Sequence, residues 1–156
     1  MGGQAETLID FYCGAGAIGL FCAGSARRVL GVEIHAPSVE SARINAAAQG
    51  VSHAEFVAAD AAAFAADPRL LDAWSSPGAI AVMDPPRPGL APAVRRLLME
   101  KPVARWVYVS CNPKALSGDL AILSSAYAVD AVQAVDLFPH TPHVETALLL
   151  SRKDRS

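Results

Sequence analysis

Phe11 to Gly19, F-Y-C-G-A-G-A-I-G, decides how this chain folds. An apolar, β-rich run, Thr7–Tyr12, leads into it. Gly14, Gly16 and Gly19 then follow the spacing G-x-G-x-x-G, where a helix over Gly16–Ala23 is expected to begin. A strand that turns through glycines into a helix is the opening unit of a parallel sheet, because glycine permits both the tight turn and a close approach of the backbone to a ligand. Glu33 closes the next strand, nineteen residues after Gly14, where a carboxylate can take a pair of ribose hydroxyls. The pattern suits a nicotinamide dinucleotide and S-adenosylmethionine equally well, and a turn that only packs helix on strand would read the same way.

Outward from that stretch, strand-like and helix-like runs alternate. Strands are expected at Val29–Glu33, Ala54–Ala58, Ala79–Met83 and Arg105–Ser110. Between them come an alanine-rich helix at Ser38–Gln49, an irregular helical region from Ala61 to Trp74, and helices near Pro92–Glu100 and at Lys114–Ser124. Such alternation predicts an α/β fold with a mostly parallel, Rossmann-like sheet. The end differs, because only P-H-T-P-H separates the strand-like runs Val129–Phe138 and Val144–Ser151, too short a link for a crossover helix. These two runs are expected to pair antiparallel.

At 156 residues, 53% of them hydrophobic, the chain suits one domain with helices on both faces of a sheet. It carries no apolar run near the roughly 18 residues of a membrane span, and its start, M-G-G-Q-A-E-T, has neither the basic nor the apolar part of a signal peptide, so a cytoplasmic protein is expected. Cys13, Cys22 and Cys111 are odd in number and widely spaced, which fits neither a disulfide framework nor a metal knuckle, so reduced thiols and no metal are expected. A net charge of −2 gives no global attraction to nucleic acid, and RNA binding would need a local patch. Arg87, Arg95, Arg96, Lys114, Arg152, Lys153 and Arg155 can supply part of one.

Each expected parallel strand ends on a residue able to do chemistry. Tyr12 and Glu33 end the first two, and Asp60 follows the third, where it can reach an adenine edge or cap the next helix. The fourth runs into M-D-P-P-R-P-G, whose two consecutive prolines fix the backbone and present Asp84 in a rigid extended turn against which a flat base can lie. The fifth, W-V-Y-V-S-C-N-P from Trp106 to Pro113, is expected to be buried and holds Cys111 at its carboxyl tip, either as a small packing residue or as a thiol facing a ligand crevice. If the last two strands are antiparallel, their turn returns to this same rim with His140, His143 and Glu145. Cys13 and Cys22, beside or within the first helix, read as packing residues.

Taken together and in order, F-Y-C-G-A-G, D-P-P-R-P-G, V-S-C-N-P and L-F-P-H-T-P-H-V-E resemble the catalytic domain of the RNA uracil-5-methyltransferases, over about Leu8 to Leu150. The resemblance implies a methyltransferase fold, S-adenosylmethionine as cofactor, and methylation of carbon 5 of a uridine in ribosomal or transfer RNA. Cys111 would be the nucleophile and Glu145 the general base. Tyr12, Gly14, Gly16, Glu33, Asp60 and Asp84 would surround the cofactor or the target base. Ala17 departs from the family pattern, where many relatives place a polar residue near the cofactor. The family's upstream glutamine motif, RNA-binding modules and, in some members, an iron–sulfur cluster have no counterpart in these residues, so the chain reads as a single catalytic domain, a fragment without N-terminal RNA-binding segments. F-P-H-T leans toward the ribosomal-RNA branch. A nicotinamide-dependent oxidoreductase and a cofactor- or RNA-binding module without activity are the competing readings.

Overall fold

A computed structural model describes residues 4–137, 139–141 and 144–153. Seven strands form one sheet in the order β3-β2-β1-β4-β5-β7-β6. β1 (Ala5–Phe11), β2 (Ala26–Glu33), β3 (Ala54–Ala58), β4 (Ala79–Met83) and β5 (Arg105–Ser110) are mutually parallel. β7 (Glu145–Arg152) runs antiparallel to both β5 and β6 (Tyr127–Val135). The sheet is therefore mostly parallel with an antiparallel C-terminal strand, as expected from the alternation of runs.

Side chains of successive strand residues point to opposite faces, and each face is closed differently. Ile9, Phe11, Leu30, Val32, Met83 and Trp106 join the larger core, beneath α3 (Ala61–Ala66), α4 (Pro68–Ser75), α5 (Pro92–Glu100) and α6 (Pro113–Leu123). Leu8, Val29 and Phe56 face the other way, toward α1 (Ala17–Phe21) and α2 (Ala36–Ala48). Edge-to-face contacts among Phe11, Phe64 and Trp74, with ring centroids 5.2–6.5 Å apart, lock α3 and α4 onto the end of β1.

Element bounds and burial depart from the sequence pattern in places. The first helix is five residues long and passes at Cys22 into a 3₁₀ turn, Ala23–Ser25, rather than continuing to Ala23. The irregular region resolves into two helices, because Asp67 accepts a hydrogen bond from the Arg69 N–H at 2.9 Å and Pro68 begins a new first turn. β5 is not buried on both faces: Trp106, Tyr108 and Ser110 are buried, whereas Val107 and Val109 are half-buried. β6 is exposed from Val129 to Val135 despite its valines, because it is an edge strand with β7 as its partner in the sheet.

Candidate active site

The turn after β1 is built around a close backbone approach. Tyr12 takes φ +70°, a left-handed conformation costly for an aromatic residue, and its N–H and that of Cys13 both donate to the Val32 carbonyl, at 2.9 and 3.1 Å. Gly16 has φ +84°, and a Cβ there would stand 3.0 Å from the Phe56 ring and 3.2 Å from the Ala42 methyl. Asp10, one residue inside the strand and 1% exposed, accepts the Gly19 N–H through Oδ2 at 2.7 Å. Its Oδ1 has no hydrogen-bond partner among the described residues. Burial pushes the Asp10 carboxyl up to about 7, opposed by the Gly19 bond and helped by the charges of Asp84 and Glu33. The sequence reading missed Asp10, although an acid inside the apolar run T-L-I-D-F was the signal for it.

Glu33 closes β2 and fastens the turns around it. Its Oε2 accepts the Gly14 N–H at 3.1 Å and its Oε1 the His35 N–H at 2.8 Å. Each carboxylate oxygen has a further lone pair, so two hydroxyl donors can still be accepted. Glu33, Tyr12 and Asp60 line a cavity of about 430 Å³, walled by apolar groups including Phe11, Ile34, Ala59 and Pro92. Asp60 caps α3, accepting the Ala63 N–H on Oδ1 at 2.7 Å, and also lines the cavity. The Tyr12 hydroxyl accepts the Ala91 N–H at 3.0 Å and ties the cavity's far wall to the glycine turn. A small apolar pocket with carboxylates at its edge fits a nucleoside.

A second group of residues meets on the same rim, beyond that cavity's lining. Asp84 lies exposed after β4 above the buried Pro85, and its pKa is raised first by partial burial and then by the charge of Glu145. Cys111, partly exposed, follows β5 directly. The outermost β5–β7 pair is Ser110 with Thr146, so Cys111 and Glu145 are the next residues outward on the two chains. Asn112 then caps α6, accepting the N–H groups of Lys114 and Ala115 at 3.1 and 3.4 Å, while its Nδ2 donates to the Arg87 carbonyl at 2.9 Å. The turn carrying Cys111 is thus tied to the loop carrying Asp84.

The remaining thiols and bases play other parts. Cys13 is buried, and burial pushes its thiol up to about 12, with Asp10 and Glu33 adding to the shift, so it is an inert packing group. Burial likewise raises the Cys22 thiol. Arg95 turns inward to Asp119 at 2.7 Å and is not part of a surface basic patch. His140 is exposed in the turn with φ +71°, while Phe138, His143 and Arg155 lie outside the described residues. Among the described residues, no helix is long and apolar enough to cross a membrane, and no group of three or more His, Cys, Asp or Glu is placed to hold a metal ion.

Comparison with known proteins gives consistent matches. The profile of the family described as tRNA (Uracil-5-)-methyltransferase matches residues 1–153. An uncharacterized RNA methyltransferase of Nitratidesulfovibrio vulgaris is 42% identical over 149 residues, covering 96% of this chain and 32% of that protein. Another, of Clostridium tetani, is 40% identical over 152 residues, covering 97% and 32%. Among solved structures, the Pyrococcus abyssi tRNA (uracil-54, C5)-methyltransferase in complex with S-adenosyl-L-homocysteine superposes with TM-score 0.78 at 32% identity, covering 95% of this chain and 35% of that one. TrmK of M. capricolum, at 10% identity and TM-score 0.73, shares the fold. The chain spans about a third of the length of the curated relatives it matches.

Proposed function

The chain belongs to the tRNA (uracil-5-)-methyltransferase family, and from that premise we propose that it carries the catalytic centre for methylating carbon 5 of a uridine in RNA through a covalent adduct on Cys111. The observation that carries this reading is the register of β5 and β7, whose last pair, Ser110 with Thr146, puts Cys111 and Glu145 next in line on the two strands, with the charge of Glu145 felt at Asp84. S-adenosylmethionine, when bound, supplies an electrophilic methyl group. The residues suit it: Glu33 retains acceptor capacity for the ribose hydroxyls, the apolar walls around Ile34 and Ala59 suit the adenine, and Asp60 stands at their edge. Gly14 and Gly16 keep the turn free of side chains where the rest of the molecule would pass.

Uracil carbon 5 is a poor nucleophile until a thiolate adds at carbon 6. Cys111 Sγ forms that bond, and the electron pair of the C5–C6 double bond moves into the ring enolate, leaving carbon 5 able to take a methyl group. Glu145 then removes the proton from carbon 5, the double bond re-forms, and the Cys111 thiolate departs. Asp84, held rigid by Pro85 and Pro86, orients the base or the amine of the cofactor. α6 opens at Pro113, two residues after the thiol, so the positive end of its dipole lies on the Cys111 side of the rim.

The target base has to leave its stack to reach such a rim, which loops and single strands allow most cheaply. The F-P-H-T wording supports ribosomal RNA, while the names of the family and of the Pyrococcus neighbour support tRNA. This reading places the protein in the cytoplasm, with RNA as its partner. A nicotinamide-dependent oxidoreductase would use the same glycine turn and Glu33 but has no use for Cys111 beside Glu145. Calorimetric titration with S-adenosylhomocysteine, with NAD in parallel, tests the proposal. Binding of the first alone is expected, and binding of NAD alone would overturn it.

A further inference from the structure

Asp119 lies in the second turn of α6, is 2% exposed, and belongs to no motif used so far. Its carboxylate is nonetheless the most heavily bonded buried polar group near the rim. Oδ2 accepts the Leu90 N–H at 2.8 Å and the Tyr108 hydroxyl at 2.5 Å, and Oδ1 accepts Arg95 Nη1 at 2.7 Å. Three segments therefore end on one side chain: the loop that follows Asp84, the strand that leads to Cys111, and the first turn of α5. The loop is built for this contact. Gly89 has φ +91°, and a Cβ there would stand 2.6 Å from Asp119 Oδ2, so the backbone passes where no other residue fits. Its N–H closes a turn on the Pro86 carbonyl at 2.8 Å, which joins the anchor to the two prolines behind Asp84. Asn112, seven positions before Asp119, holds the other end of the same loop through the Arg87 carbonyl.

We propose that Asp119 is a positioning residue for the reaction: by fastening the Pro85–Leu90 loop to Tyr108 and α6, it fixes Asp84 relative to Cys111. The inference rests on the reading of Cys111 and Asp84 as groups of the reaction centre. A buried ionic cluster costs desolvation and is weak evidence of added stability, so three elements meeting on one carboxylate argue for a fixed geometry rather than for a stronger fold. Small displacements of a reacting group are expensive, because the reaction depends on near-attack distances. Asp119 touches neither cofactor nor base, and its effect passes through the loop.

The test uses the intact protein and RNA containing 5-fluorouridine, whose carbon-5 fluorine cannot be removed as a proton is, so the adduct on Cys111 accumulates and its rate can be followed. Asp119→Asn keeps one acceptor oxygen and the volume but loses the charge opposite Arg95. Its maximal rate of adduct formation is expected to fall about tenfold to a hundredfold. S-adenosylhomocysteine affinity and the half-saturating RNA concentration should stay within about threefold. In the cycle with Asp84→Asn, the double variant should be no slower than Asp84→Asn alone, because the loop has already lost what Asp119 positions. Should Asp119→Asn not fold, Tyr108→Phe removes one arm of the cluster without changing shape, and a slower adduct is again expected. An unchanged maximal rate in the folded variant, or additive losses in the cycle, overturns the inference while leaving the reading of Cys111 intact. A wild-type protein that binds S-adenosylhomocysteine but forms no adduct overturns both.

Discussion

Cys111 and Glu145 each stand one residue beyond the Ser110–Thr146 pair that ends the β5–β7 ladder. That placement follows from the antiparallel register of the two strands. Cys111 and Glu145, separated by 34 positions along the chain, come to the same end of adjacent strands through that pairing. The parallel strands supply the remaining groups at their carboxyl ends, where ligands bind in open α/β sheets.

Glu145 is assigned the proton at carbon 5, so Glu145→Gln should still form the cysteine adduct and transfer the methyl group, but fail to release product. The methylated adduct with ordinary uridine RNA is expected to accumulate in denaturing gels, with turnover reduced about a hundredfold or more. Free product at the normal rate would remove Glu145 from this role. The same variant removes the charge that raises the Asp84 pKa, so that pKa should move down, measured by carboxyl chemical shifts.

Gly16 is required by both conformation and space. Gly16→Ala places a side chain at φ +84° and 3.0 Å from Phe56, at a cost of about 1–3 kcal/mol of stability. S-adenosylhomocysteine affinity should fall with it, because the ring of Phe56 and the turn must shift. Unchanged affinity by calorimetry would show that the glycine turn does not hold the ligand.

Asp10 makes stability depend on pH in the direction opposite to most aspartates. The unfolded chain has released the Asp10 proton above about pH 4, whereas the folded chain keeps it until about pH 7. Its contribution is therefore full below the unfolded value, declines as pH rises toward 7, and is lost above that, for a total on the order of 4 kcal/mol at most. Asp10→Asn retains an acceptor for the Gly19 N–H and cannot ionise. Thermal denaturation between pH 5 and 8 should show the wild type losing stability relative to Asp10→Asn, and parallel curves would contradict the assignment.

The strand endings were legible in the sequence because apolar runs stop at polar residues, and that alone brought Tyr12, Glu33, Asp60, Asp84 and Cys111 to one rim. Strand direction at the C-terminus followed from the short P-H-T-P-H link, which left no room for a crossover. The buried carboxylates were harder to see. Asp10 and Asp119 sit in runs that read as ordinary strand and helix, and their partners, Gly19, Leu90, Tyr108 and Arg95, are chosen by tertiary packing rather than by spacing. The same holds for Tyr12, whose hydroxyl finds the Ala91 N–H 79 positions away. The exposure of β6 was hidden for a related reason, since an apolar pattern does not say whether a strand lies at the edge.

The central claim is that Cys111 attacks carbon 6 of a uridine, and the most direct measurement is incubation of the intact protein with S-adenosylmethionine and RNA containing 5-fluorouridine, followed by denaturing electrophoresis and mass spectrometry. A covalent complex carrying one added methyl group and linked through Cys111, absent in Cys111→Ala, is the predicted result. A complex that persists in Cys111→Ala, or methylated uridine made by that variant at the wild-type rate, would contradict it.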